Sequence, residues 1–307
     1  MEKQSNKPTP NAKQVKKALV YHALLACMLF VAAFFGFKHG WQQSKAEVLI
    51  ALTFHGVTET PSRPWEIRWL DLVDSIKSLS QYDFKPIDPA SFSDWLNGDI
   101  KGGRKFFITF DDGLESSGEA IQRLKKELNL SSVLFVTTEL VGQPGYLSYD
   151  ALRKLASETG CLIGLHGLRH LEPTKIIHTG GNFFVETVSA KQLLEKELGK
   201  DIQWYAYPFG DFDAEARNQI ASAGITYGFT IEGEDIRREM DPLLLPRVMY
   251  LKGVEKAGGP SISDWTPPKN ASAGGLSITL ALFVGMMGFR SVLRCIMLRR
   301  VLAGTVS

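Results

Sequence analysis

Short apolar runs along the chain alternate with longer stretches in which apolar positions recur at helical spacing. Strand-like runs fall at residues 48–52, 106–110, 132–137, 161–165, 203–207, 226–230 and 245–250. Helical patterns occupy 67–79, 118–128, 149–157, 188–198 and 214–223. Ser148 stands as an N-cap before the third of these, and Gly160 after Glu158-Thr159 is a natural stop. Seven strands alternating with helices predict an α/β fold, a distorted (β/α)7 barrel. Residues 58–64 and 257–269, the second with Gly-Gly-Pro and Pro-Pro, read as loops, and no internal repeat is visible.

Two apolar stretches are too long for a strand or a core helix. Residues 18–37 carry no formal charge over 20 positions, enough to cross the hydrocarbon core of a bilayer. A signal peptide is the rival reading, but no small-x-small cleavage site closes the run before Lys38. Residues 271–289 form a second uncharged stretch of 19, whose alternative is an amphipathic tail on the membrane surface, since Arg290, Arg294, Arg299 and Arg300 recur among apolar residues. Residues 1–17 hold five Lys and one Glu, and residues 290–307 hold four Arg and no acid, so each tail is +4. By the positive-inside tendency both tails belong in the cytoplasm and the middle is exported. The expected organisation is a cytoplasmic basic tail (1–17), a transmembrane helix (18–37), a catalytic domain (46–256), a linker (257–270), a second transmembrane helix (271–289) and a basic cytoplasmic tail (290–307). This places the domain on the periplasmic or extracellular side of the cytoplasmic (inner) membrane, with the bilayer itself as a partner.

Two of the predicted strands end in chemistry. Lys105-Phe106-Phe107-Ile108 runs into Thr109-Phe110-Asp111-Asp112-Gly113, and 54 residues after Asp112 comes His166-Gly167-Leu168-Arg169-His170. A divalent ion such as zinc accepts mixed carboxylate and imidazole ligands, and catalytic sites keep three protein ligands with a position open. Asp112, His166 and His170 supply three. Successive side chains diverge at a strand end, so the two aspartates cannot both bind one ion in the same way, and one is left for proton transfer. A metal that acidifies water and polarises a carbonyl, beside a free carboxylate, is suited to hydrolysing an amide or ester. The bland reading is an Asp-Asp-Gly turn and two unmetallated polar histidines; what favours chemistry is that both motifs follow apolar strands, as sites at barrel strand ends do.

At these residues the chain resembles the polysaccharide deacetylases, the NodB-homology group of carbohydrate esterase family four, over roughly residues 48–250. The resemblance implies a barrel of NodB-homology type, with Asp111 as catalytic base and Asp112, His166 and His170 as metal ligands. The family's Arg-Pro-Pro-Tyr-Gly is replaced by Tyr205-Ala206-Tyr207-Pro208-Phe209-Gly210, which looks like the version in enzymes acting on poly-β-1,6-N-acetylglucosamine. The missing Arg orients the base in the family; Arg247 is the candidate substitute, set against an ordinary surface or core-edge arginine. The late family histidine is missing too, since no histidine follows His178. His55, ending the first predicted strand, resembles the early Tyr-His motif of the poly-N-acetylglucosamine deacetylases and is the candidate general acid, against a structural histidine near the strand end. Tyr207, Pro208, Phe209 and Gly210 are expected to line the substrate site.

Composition narrows the partners. Removing the two tails leaves 26 basic and 32 acidic residues, −6 over residues 18–289, which argues against nucleic acid and suits a neutral or cationic glycan. Among the three cysteines only Cys161 lies between the apolar stretches, so the exported part can form no internal disulfide, and Cys161 reads as a buried strand residue. The expectation is a membrane-anchored hydrolase, dependent on zinc or on cobalt or nickel in its place, that removes N-acetyl groups from an amino-sugar polysaccharide alongside synthesis or export proteins. A deacylase of a lipid-linked sugar and a non-catalytic glycan-binding protein are the alternatives.

Overall fold

The structure is a computed structural model in which residues 47–250 are described. The stretches at 18–37 and 271–289 lie outside them; among the described residues no helix is long and apolar enough to cross a membrane. In chain order the elements are β1 (Leu49–Phe54), β2 (Gly56–Val57), β3 (Glu66–Ile67), α1 (Trp69–Ser80), β4 (Phe84–Pro86), α2 (Phe92–Asn97), β5 (Arg104–Phe110) and α3 (Glu115–Arg123). They continue with β6 (Ser132–Val136), α4 (Tyr149–Thr159), β7 (Leu162–Leu165), α5 (Pro173–His178), α6 (Phe183–Leu198), β8 (Trp204–Ala206), α7 (Ala214–Ser222), β9 (Tyr227–Phe229) and β10 (Val248–Met249). Caps hold helix ends where the sequence places them: Ser148 Oγ accepts from Ala151 N at 3.2 Å, and Gly160 ends α4 at φ 71°.

The main sheet is parallel throughout, in the order β10-β1-β5-β6-β7-β8-β9, with β4 beside the start of β5. It curls into a half-barrel, and its far edges approach one another through the segment before β10. There Leu245 bridges Phe229, its N–H donating to Gly228 O at 2.8 Å and its carbonyl accepting from Thr230 N at 2.8 Å. Seven strands lie where the apolar runs predict them. The pieces not predicted, β2, β3, β4, α2 and α5, are two to six residues long and show no period of their own.

Alternation along each strand divides the core. Leu49, Ala51, Phe107, Val133, Phe135, Trp204, Ala206, Phe229 and Leu245 face one interior cluster. Their neighbours Ile50, Leu52, Phe54, Phe106, Ile108, Phe110, Leu134 and Val136 pack outward with α1, α3 and α4. A third cluster seats α6 and α7 on Tyr205, Tyr207 and Leu165. The interior is closed at the strands' N-terminal end by α2, whose Phe92 ring lies 5.6 Å from Phe107, 5.3 Å from Trp204 and 5.1 Å from Tyr227. The fully buried rings of Phe92 and Phe107 each contribute on the order of 2–3 kcal/mol. Cys161 sits outside this interior, and burial pushes its thiol up to about 12.

Gly164, at an inward position of β7, shows how tightly the interior is filled. A Cβ there would lie 2.6 Å from the Phe135 ring and 3.1 Å from Trp204 O. Gly164→Ala is therefore expected to destabilise the fold by ~1–3 kcal/mol through overpacking. Urea unfolding of the variant checks it, and an unchanged midpoint would show that the Phe135 ring can yield.

Candidate active site

The inward positions that are apolar lower in the interior become polar at the C-terminal strand ends. On β1 the inward series Leu49, Ala51, Thr53 leads to His55; on β5, Phe107 and Thr109 lead to Asp111; on β7, Leu162 and Gly164 lead to His166; and Leu245 leads to Arg247. Thr53 Oγ1 and Thr109 Oγ1 lie 3.0 Å apart, beneath the charged layer.

Asp111 and Arg247 form the base of the site, and both are buried. Arg247 Nη1 donates to Asp111 Oδ1 at 2.7 Å and Nη2 to Oδ2 at 2.9 Å, a bidentate fork. Nε donates to Thr230 O at 3.1 Å, Nη1 also reaches Thr109 Oγ1 at 3.3 Å, and the guanidinium lies 5.1 Å from the Phe135 ring centre. Neither a surface nor a core-edge placement describes this arginine. Burial by itself would raise the Asp111 pKa, but the charge of Arg247, then that of His166, the Arg247 hydrogen bonds and His55 together hold it well below the carboxylate range.

Asp112 turns away from its neighbour because its φ is 74°, a left-handed conformation that Asp tolerates better than most residues. Its Oδ1 lies 3.3 Å from His170 Nε2 and 3.7 Å from His166 Nε2, and those two nitrogens are 3.2 Å apart. His166 Nδ1 meets the Ala206 carbonyl at 2.8 Å; a carbonyl can only accept, so Nδ1 carries the proton and Nε2 presents its lone pair. Burial, opposed by Asp111, lowers the His166 pKa to about 4 and keeps the ring neutral. Asp112 Oδ1 is buried with no hydrogen-bond partner. One carboxylate oxygen and two imidazole nitrogens within 4.8 Å of one another, with an orphaned anionic oxygen among them, fit a divalent cation by donor type and by number.

The remaining expected residues fall on both sides of the prediction. His55 follows β1 beside Asp111, whose N–H donates to Phe54 O at 3.0 Å, and its Nδ1 is buried without a partner. Phe209 is 58% exposed, holds φ 59° and packs its ring 4.6 Å from that of His170. Pro208 is buried against the Gly167 turn, and Gly210 at φ 67° closes onto Ile231. Tyr207 does not line the site: it is fully buried, donates its hydroxyl to Leu243 O at 3.1 Å and belongs with Tyr205 on the helix side of the sheet. Strand alternation explains this, since Trp204 and Ala206 take the inward positions. Sequence reading missed Thr53, Thr109 and the Ala206 carbonyl; two threonines at inward positions of apolar strands were the available signal.

Residues 99–228 match the family model described as polysaccharide deacetylase. That segment of the chain is similar to the polysaccharide deacetylase family. The chain is also similar to the poly-β-1,6-N-acetyl-D-glucosamine N-deacetylase of Staphylococcus aureus, 22% identical over 185 residues, which cover 57% of this chain and 64% of that protein. The match thus spans less than two thirds of the length of these curated relatives. Among solved structures, IcaB from Ammonifex degensii aligns at a TM-score of 0.60 and 22% identity, covering 76% of this chain and 98% of that one. The Streptococcus pyogenes deacetylase PplD aligns at 0.58 and 15%, covering 71% and 96%. At such identities these structures speak for the fold alone.

Removing the arginine tests how the site is held together. Arg247→Met leaves a buried carboxylate without its partner, which is expected to cost ~3–5 kcal/mol at pH 7. In the wild type the folded pKa of Asp111 lies below its ordinary value of 3.8, so its stabilisation is present above that value and is lost as pH falls towards the folded pKa. In the variant the largest opposition to burial is gone and only His166 and His55 still act against it, so the pKa rises, Asp111 takes up a proton more readily in acid and the deficit shrinks as pH falls towards 4. Urea unfolding of both proteins at neutral and acid pH checks this; a deficit independent of pH would mean that the lost charge is not the cause.

Proposed function

We propose that this protein is a metal-dependent hydrolase that removes N-acetyl groups from an amino-sugar polysaccharide, with poly-β-1,6-N-acetylglucosamine as the first polymer to try. The observation that carries the reading is the convergence of Asp112, His166 and His170 within 4.8 Å beside a carboxylate forked by a buried arginine. Asp112, His166 and His170 would hold the ion, zinc first, with cobalt or nickel as substitutes. When bound, it supplies Lewis-acid polarisation of the acetamide carbonyl and acidifies water.

The chain's own residues divide the proton work. Asp111, ionised and locked in orientation by Arg247, accepts the proton of the attacking water. As the carbon–nitrogen bond breaks, the departing amine takes a proton from His55, whose Nδ1 has no competing hydrogen-bond partner among the described residues. The products are acetate and a free amine on the sugar. Phe209 offers an exposed aromatic face to a pyranose ring at the mouth.

The same reading sets the domain on the exported side of the cytoplasmic membrane, between spans at 18–37 and 271–289, and treats the bond through Leu245 as closure of a distorted seven-stranded (β/α) barrel. A non-catalytic glycan-binding protein would have little use for Asp111, because a charge buried and forked by Arg247 adds nothing to sugar recognition at the surface.

Amine release from β-1,6-linked N-acetylglucosamine oligomers by the full-length chain tests the proposal. Release is expected to stop with chelator and return with zinc. Asp111→Asn should still bind zinc yet lose about 10²–10⁴-fold in turnover, the range for a positioned general base. Undiminished turnover in that variant would remove Asp111 from the base role; a zinc-loaded wild type that releases nothing would point instead to a lipid-linked sugar or to glycan binding alone.

A further inference from the structure

The two histidines of the site are held in different ways. His166 continues the line of β7 and has its ring fixed by the Nδ1 bond to Ala206 O. For His170, among the described residues, no hydrogen bond reaches the other ring nitrogen; the ring rests on Phe209, and the backbone sits at φ 55°. A left-handed histidine persists only where its surroundings enforce it, at a cost on the order of 1 kcal/mol or more. The enforcement must come from the loop.

That loop is pinned on one side by main-chain bonds, Thr138 N–H to Gly167 O at 3.2 Å and Glu139 N–H to Leu168 O at 3.0 Å. On the other side two carboxylates hold it. Arg169, the residue before His170, donates from Nη2 to Glu186 Oε2 at 2.7 Å, and the Glu186 side chain is only 7% exposed in the first part of α6. Four residues after His170, Asp211 Oδ2 accepts from Thr174 N at 2.8 Å and Thr174 Oγ1 at 2.7 Å. Asp211 directly follows the turn that carries Phe209. Of these ties, the Glu186 one grips the residue adjoining His170 and uses a charge that α6 has no packing reason to bury.

We propose that Glu186 is a positioning residue: through Arg169 it holds His170 in its strained conformation, so that the third metal-binding nitrogen is set before any ion arrives. The inference rests on the metal reading above. It makes the N-terminal part of α6 a support of the site, though no residue of that helix is one of the candidate ligands. Second-layer contacts of this kind typically set 10–100-fold in metal affinity.

The test is zinc binding by the full-length chain, measured by competition with a chromophoric chelator, together with the visible absorption of the cobalt-loaded protein. Glu186→Ala is expected to bind zinc about 10–100-fold more weakly than wild type, with a cobalt spectrum altered in intensity. Glu186→Gln, which keeps an acceptor for Arg169, should recover most of the loss. Arg169→Ala, a change at a half-exposed side chain that the fold tolerates, should match Glu186→Ala, and the double variant should be no worse than either, since the two act as one unit. Variants that bind zinc as tightly as wild type with an unchanged cobalt spectrum would overturn the inference, even if Glu186→Ala has lost stability. A wild-type chain that binds neither ion would overturn the metal reading and this inference with it.

Discussion

The fork between Arg247 and Asp111 joins the residue that enters β10 to the one that leaves β5, two strands away in the sheet across β1. A buried ion pair is stabilising only where almost every donor and acceptor is met, because two charges have been taken out of water. Here the arginine meets both carboxylate oxygens, the Thr230 carbonyl and the Thr109 hydroxyl, and lays its face on Phe135. The interior below it is shaped to that demand. Gly164 leaves room for the Phe135 ring, and Thr53 and Thr109 place hydroxyls where the neighbouring inward positions are apolar.

Both partners in the fork occupy inward positions, and the same parity explains what could be read from the sequence. Seven strands, five helices and the clustering of Asp112, His166 and His170 were visible because each rests on local pattern, an apolar run or a motif at its end. Arg247 was visible only as a candidate, since nothing local distinguishes Leu-Pro-Arg-Val from a core-edge segment; its partner lies 136 residues away in the chain. Tyr207 was misplaced for the opposite reason. Its position beside Pro208-Phe209-Gly210 suggested the site, whereas the alternation Trp204 in, Tyr205 out, Ala206 in, Tyr207 out assigns it to the helix side. The short helix α2 left no periodic trace, yet it supplies Phe92 and Trp95 as the floor of the interior.

Backbone strain is concentrated where the chemistry is proposed. Five non-glycine residues have left-handed φ among the described residues, and Asp112, His170 and Phe209 are three of them. The others, Asp83 and Asn129, are turn residues of the types that tolerate it. Phe209 is the least expected of the five, a bulky side chain in a region nearly reserved for glycine. Its ring lies 4.6 Å from that of His170, yet the residue stays largely exposed. A position that combines strain, exposure and contact with a candidate ligand is hard to explain by packing alone.

The electrostatics of the two aspartates then limit what chemistry the site could run. Arg247 keeps Asp111 ionised at any ordinary pH, and the same pull makes it a weak base. A carboxylate held that low cannot take a proton from bulk water at a useful rate, because the donor and acceptor would be too far apart in acidity. Asp111 can serve as a base only if the water beside it is made far more acidic, which requires a cation close by. Asp112, turned by its left-handed backbone towards two imidazole nitrogens and with its Oδ1 lacking a hydrogen-bond partner, is the carboxylate among the described residues placed to bring such a cation there. With Asp111 as the proposed base, the two neighbouring aspartates would be interdependent: the arginine that orients the first weakens it as a base, and a charge gathered by the second would offset that.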